Sequence, residues 1–176
     1  MKIVICPGMH SSELTEKFVA SLDRPEEEFL IFPSDRSPVY SPKHVLEFLQ
    51  SRTPRSTPLI FIGFSAGVVG AIAAAHQWHT QGGIIRSLIA IDGWSVPLFG
   101  NFPIHRLSHD YFTHWSSALL GSGTDSFYAD PPVEHLDLWQ SPQTVTGHRV
   151  SSSKYPARLT ATTFLTTLLD NYSRDL

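Results

Sequence analysis

Residues Leu59–Ala75 read LIFIGFSAGVVGAIAAA, a run of 17 positions without a charge. A membrane-spanning helix needs about 17–25 apolar residues, so the run touches the lower limit. Its internal pattern points elsewhere. Leu59–Phe64 is rich in β-branched and aromatic residues, as a buried strand requires. From Ala66 to about Trp78 small residues and valines follow helical spacing. Between them, Gly63-Phe64-Ser65-Ala66-Gly67 matches G-x-S-x-G. A strand running straight into a helix through this pentapeptide places Ser65 on a sharp turn. Small neighbours let the chain fold back without a clash. The Ser65 hydroxyl then lies at a helix N-terminus, where partial positive charge favours a developing anion. The Ala66 N–H is placed to donate to that anion. Ser65 is thus a candidate nucleophile, and no membrane span is expected.

Working outward, strand-like and helix-like segments alternate. Lys2–Cys6 is a short β-rich run closed by Pro7-Gly8. Ser12–Leu22 follows helical spacing behind Ser11. Phe29–Phe32 is a second strand. Pro42–Gln50 is a helix with Ser41 at its N-cap and Pro42 at its first position. Leu59–Phe64 is the third strand and Ser87–Ile91 the fourth, ending at Asp92-Gly93. The rhythm breaks over residues 94–123, which hold Pro97, Pro103, three histidines and a helix near Asp110–Leu120. Ser126–Ala129 reads as a fifth strand ending at Asp130-Pro131. Val133–Trp139 is a short helix, Thr144–Thr146 a last strand, Ser151–Ser153 a loop and Arg158–Tyr172 a closing helix. This order implies one α/β domain over residues 1–176. It predicts a three-layer α/β/α sandwich around a mainly parallel sheet of five or six strands. Residues 94–123 are expected to form a lid-like insertion.

Composition narrows the function. The chain has 176 residues, a formal net charge of −3 and nine histidines. That balance gives no basis for electrostatic nucleic-acid binding. Only 16% of residues are charged, against about 25% in an average protein. The single cysteine, Cys6, excludes an intramolecular disulfide framework and fits a reducing compartment, so a cytoplasmic location is expected. The opening MKIVICPG has too short an apolar run for a secretory signal.

With the GFSAG elbow, the Cys6-Pro7-Gly8-Met9-His10 turn, an aspartate after a later strand and Gly147-His148 before the final helix, the chain resembles the α/β-hydrolase superfamily. It is similar to the small serine hydrolases of that superfamily that lack a large cap. The resemblance runs from Lys2 to about Tyr172, apart from 94–123. It implies a truncated fold that starts at the third strand of a full-sized member. It also implies a serine esterase or thioesterase acting through an acyl-enzyme on Ser65. The oxyanion hole is then formed by the backbone N–H groups of Ala66 and Met9. The acid is placed on Asp130 and the base on His148.

The residues leave other arrangements open. His135 is an alternative base, with Asp92 or Asp110 as its acid. Met9, Trp94, Phe99, Phe102, Phe112 and Trp115 are candidates for an apolar acyl pocket. The substrate expected is a small acyl ester or thioester. No metal and no organic cofactor is required. His105, His109 and His114 form a polar cluster in which His105 and His109 would stand one turn apart on a helix. Two rival functions remain. One is a hydrolase-like binding protein without catalysis. The other is a dinucleotide-dependent oxidoreductase, suggested by Gly63, Gly67 and Gly70 after a strand with Asp92 beyond them. Oligomeric state is not legible in the sequence.

Overall fold

The computed structural model describes residues 1–151 and 157–174. The loop expected at Ser151–Ser153 therefore lies mostly outside the described residues. The elements in chain order are β1 (Lys2–Cys6), α1 (Ser12–Ser21), β2 (Phe29–Ile31), α2 (Pro42–Arg52), β3 (Leu59–Phe64), α3 (Gly67–Thr80) and β4 (Ile85–Ile91). They continue with β5 (Ile104–Ser108), α4 (Tyr111–Ala118), β6 (Asp125–Ala129), α5 (His135–Gln140), β7 (Thr146–Val150), β8 (Ala157–Thr160) and α6 (Ala161–Arg174).

One eight-stranded sheet has the order β2-β1-β3-β4-β5-β6-β7-β8. The pairings from β2 through β6 are parallel. β7 and β8 add an antiparallel hairpin at one edge. Alternation along the strands divides the core between two faces. Ile3, Ile5, Ile60, Ile62, Ile89, Ile91, Leu107 and Phe127 pack with Phe18 of α1, Leu138 and Trp139 of α5, and Phe164, Leu165, Leu168 and Leu169 of α6. Val4, Cys6, Leu59, Phe61, Leu88 and Ala90 pack on the other face with Val45 and Leu49 of α2 and with Val68, Ala71, Ala75 and Trp78 of α3. No helix among the described residues is long and apolar enough to cross a membrane. The uncharged run is β3 followed by the first turns of α3.

Three expectations require correction. The sheet has eight strands, not five or six. Residues 94–123 are not a lid-like insertion, because β5 lies within them, buried between β4 and β6. Its sequence, IHRLS, hides a central strand behind polar side chains. Arg106 is buried there because Nε donates to the Gly121 carbonyl at 2.6 Å, and Nη2 donates to the Val96 and Leu120 carbonyls at 3.1 and 3.2 Å. Finally, Arg158–Thr160 belongs to β8, so the closing helix starts at Ala161.

Two glycines of the third crossover are fixed by close approach. A Cβ on Gly67 would stand 2.2 Å from the Cys6 carbonyl oxygen, and one on Gly70 would stand 2.2 Å from that of Val39. Both contacts are with backbone, which cannot swing away as a side chain can. Gly67→Ala is expected to push α3 off β1 and to lower stability by about 1–3 kcal/mol or more, as overpacking does. Urea denaturation of the variant checks this. A wild-type midpoint would remove the argument for close approach.

Candidate functional site

The carboxyl ends of four successive parallel strands, β3 to β6, build the site. This edge is where open α/β sheets bind ligands. Ser65 follows β3, Asp92 follows β4, His109 and Asp110 follow β5, and His135 opens α5 after β6. Ser65, Ala66, Asp92, His109, Asp110 and His135 all line one cavity of about 540 Å³. That volume is in the range of small-molecule sites.

Ser65 has a φ of +52°, in the left-handed region that a non-glycine residue rarely adopts. The turn is held on both sides. The Ser65 N–H donates to the Ile91 carbonyl at 2.9 Å, and the Ser65 carbonyl accepts from the Val68 N–H at 3.1 Å. The loop after β1 closes against it, since a Cβ on Gly8 would lie 3.2 Å from Ser65 Cβ. Ala66 lines the cavity. Met9 is 79% exposed and lines a different groove, together with Arg36 and Tyr40.

Asp92 also has a positive φ, +49°. Its side chain is almost fully buried, and both oxygens are used. Oδ1 accepts the His109 backbone N–H at 2.9 Å. Oδ2 accepts from two imidazoles, His109 Nδ1 at 2.9 Å and His135 Nδ1 at 2.8 Å. Burial alone would raise the carboxyl's pKa. The hydrogen bonds from His109 and His135 outweigh burial and hold it below the usual carboxylate range. The same bond to Asp92 raises the pKa of His109 against the opposing effect of burial. With Nδ1–H directed at Asp92, each neutral ring keeps Nε2 as its basic nitrogen. The His135 ring is braced from behind. It stacks on Phe64 at 4.6 Å, and Phe64 stacks on Trp139 at 4.8 Å.

Asp130 and His148 do find each other, with His148 Nε2 3.0 Å from Asp130 Oδ2. Neither lines the Ser65 cavity. His148 is inside β7, paired in register with Tyr128, rather than on a loop. His105 is separated from His109 by an extended strand, where four residues span about 13 Å rather than one helical turn. It bonds Tyr172 Oη through Nε2 at 2.8 Å. Burial lowers its pKa from 6.5 to about 4. The unfolded chain therefore takes up this proton at a higher pH than the folded chain does. His105 contributes stability fully above pH 6.5 and loses it as pH falls toward about 4. His105→Gln should flatten the acid side of the urea-midpoint profile. An unchanged slope between those limits would contradict this.

Of the apolar candidates, Phe102 is buried, whereas Trp94, Phe99, Phe112 and Trp115 are exposed. Only Trp94 and Phe112 of that group line the cavity. Helix α4 is polar inward and apolar outward. Asp110 caps it by accepting the Thr113 N–H at 2.6 Å, and Thr113 and Ser117 are buried. Tyr111, Phe112 and Trp115 face outward.

The pairing of Asp92 with His109 was missed at the sequence level. Its one signal was an Asp-Gly at the end of a strand. The arrangement can bind a small molecule beside Ser65, move a proton at an imidazole, and stabilise a positive charge there with a buried carboxylate. Comparison with protein-family models finds no match to this chain, and comparison with curated proteins finds none either.

Proposed function

We propose that the protein is a serine hydrolase that cleaves an ester or thioester through an acyl-enzyme on Ser65. One observation carries the reading. Ser65, strained at the β3–α3 turn, lines the same cavity as an imidazole bonded to a buried carboxylate. In this mechanism His135 accepts the Ser65 hydroxyl proton on Nε2 as Oγ attacks the carbonyl carbon. Asp92 holds the ring through Nδ1–H and stabilises the imidazolium. The Ala66 N–H at the start of α3 donates to the oxyanion. The loop after β1, packed against Ser65, is the place for a second donor, where Met9 was expected. His135 returns the proton to the leaving group, and water then releases the acyl group by the same steps in reverse.

The resemblance to the α/β-hydrolase superfamily supports this assignment. So does the placement of nucleophile, acid and base on successive strand ends. Gly67 and Gly70 are occupied by packing against backbone carbonyls, so they give the dinucleotide reading no support. A fluorophosphonate probe tests the proposal. The wild-type chain should become labelled in a ratio of one to one, and Ser65→Ala should not. Absence of labelling would favour a binding protein without catalysis. Labelling that persists in Ser65→Ala would place the nucleophile elsewhere.

A further inference from the structure

Asp92, His109 and His135 each offer one ligand atom, and these atoms all lie within 4.8 Å of one another. Asp92 Oδ2 stands 2.9 Å from His109 Nδ1 and 2.8 Å from His135 Nδ1. Two imidazoles and one carboxylate are a donor set for divalent transition metals, and zinc accepts it with an open fourth position. We propose that these three residues bind a divalent transition-metal ion of the Zn²⁺ type, and that the bound ion shuts off hydrolysis. The inhibitory half rests on the serine-hydrolase reading; the binding half does not.

The geometry around the three donors is that of a supported metal site. Zinc bonds to nitrogen and oxygen are about 2.0–2.2 Å, so tetrahedral ligand atoms stand roughly 3.4 Å apart. The two Asp92–imidazole separations, 2.8 and 2.9 Å, must therefore open by about half an ångström. Outer partners are already in place. Asp92 Oδ1 is fixed by the His109 backbone N–H at 2.9 Å. Asp110 Oδ2 lies 3.6 Å from His109 Nε2. The His135 ring is held flat against Phe64. On binding, each neutral ring shifts its proton from Nδ1 to Nε2 and gives the Nδ1 lone pair to the ion. His109 Nε2–H then faces the Asp110 carboxylate from 3.6 Å and must close to about 3 Å to be accepted, the arrangement common behind metal-bound histidines. His135 loses Nε2 as a base, and its link to Asp92 is replaced by the ion. The remaining coordination position opens on the cavity that Ser65 lines.

The test uses the full chain without a histidine tag, titrated with Co²⁺ and followed by its visible absorption, with Zn²⁺ as competitor. Wild type and Ser65→Ala should each show one equivalent of four- or five-coordinate Co²⁺, displaced by Zn²⁺. Asp110→Asn should weaken binding roughly 10–100-fold, as loss of an outer partner does. His109→Ala should weaken it further. Circular dichroism of both variants checks that they fold. No absorption in wild type, or a titration unchanged by His109→Ala, would overturn the site. Zn²⁺ that binds in the expected ratio yet leaves ester hydrolysis intact would overturn the inhibition. A chain that binds Co²⁺ but never labels at Ser65 would sink the hydrolase reading and leave the metal site standing.

Discussion

His135→Ala is expected to lower kcat/KM for an activated ester by about 10⁴-fold or more, and His148→Ala to leave it within a few-fold. The difference follows from position. His135 shares the Ser65 cavity and gives its Nδ1–H to buried Asp92 at 2.8 Å. His148 sits in β7 with Asp130 and lines no part of that cavity. Without the imidazole, Ser65 must lose its proton to water, and the leaving group must depart unprotonated. The double variant Ser65→Ala/His135→Ala should be little worse than either single one, because the two groups act as a unit. Steady-state kinetics with p-nitrophenyl acetate reads all of these. A large loss in His148→Ala with His135→Ala near wild type would restore the Asp130–His148 arrangement and refute His135 as the base.

The second large effect is on stability. Trp139→Ala should cost about 3–5 kcal/mol, as truncation of a buried tryptophan does. Trp139 is fully buried on α5 and stacks on Phe18 at 3.7 Å and on Phe64 at 4.8 Å. At about 2–4 °C per kcal/mol for a domain of this size, Tm should fall by roughly 6–20 °C. Trp139→Phe keeps a ring in the stack and should lose distinctly less. Because Phe64 lies between Trp139 and His135, the alanine variant should also lower kcat at temperatures where it is folded. Differential scanning calorimetry with activity measured at 15–20 °C below the variant's Tm, roughly, separates the two effects. An unchanged kcat would show that the stack does not brace His135.

Most of the parallel core was legible because its strands are short, apolar and bounded by Pro and Gly. Lys2–Cys6 and Leu59–Phe64 appear with the expected limits. β5 was not legible. Its His105 and Arg106 look like surface residues, and only the carbonyls of Val96, Leu120 and Gly121 show how Arg106 is buried. That one omission steered the choice of candidate acid and base. With β5 unseen, β6 counted as the strand after the fourth, so the acid was placed on Asp130 and the base on His148, between the expected last strand and the closing helix. Counted with β5 in place, Asp130 follows the sixth strand and His135 opens the helix beyond it. Asp110, after β5, was a named alternative acid. In the structure its carboxylate caps α4, while Asp92 holds the imidazole. The choice among Asp92, Asp110 and Asp130 depends on register across the sheet, which no local pattern encodes.

The candidate nucleophile, its acid, its base and the second imidazole are each delivered by a different strand end. No hairpin, single crossover or other local fragment contains the set. Parallel pairing across four strands is slow to form, because long loops must close before any contact is gained. Returning activity during refolding therefore reports completion of long-range topology. It should lag behind recovery of helical circular dichroism, which local segments can supply early.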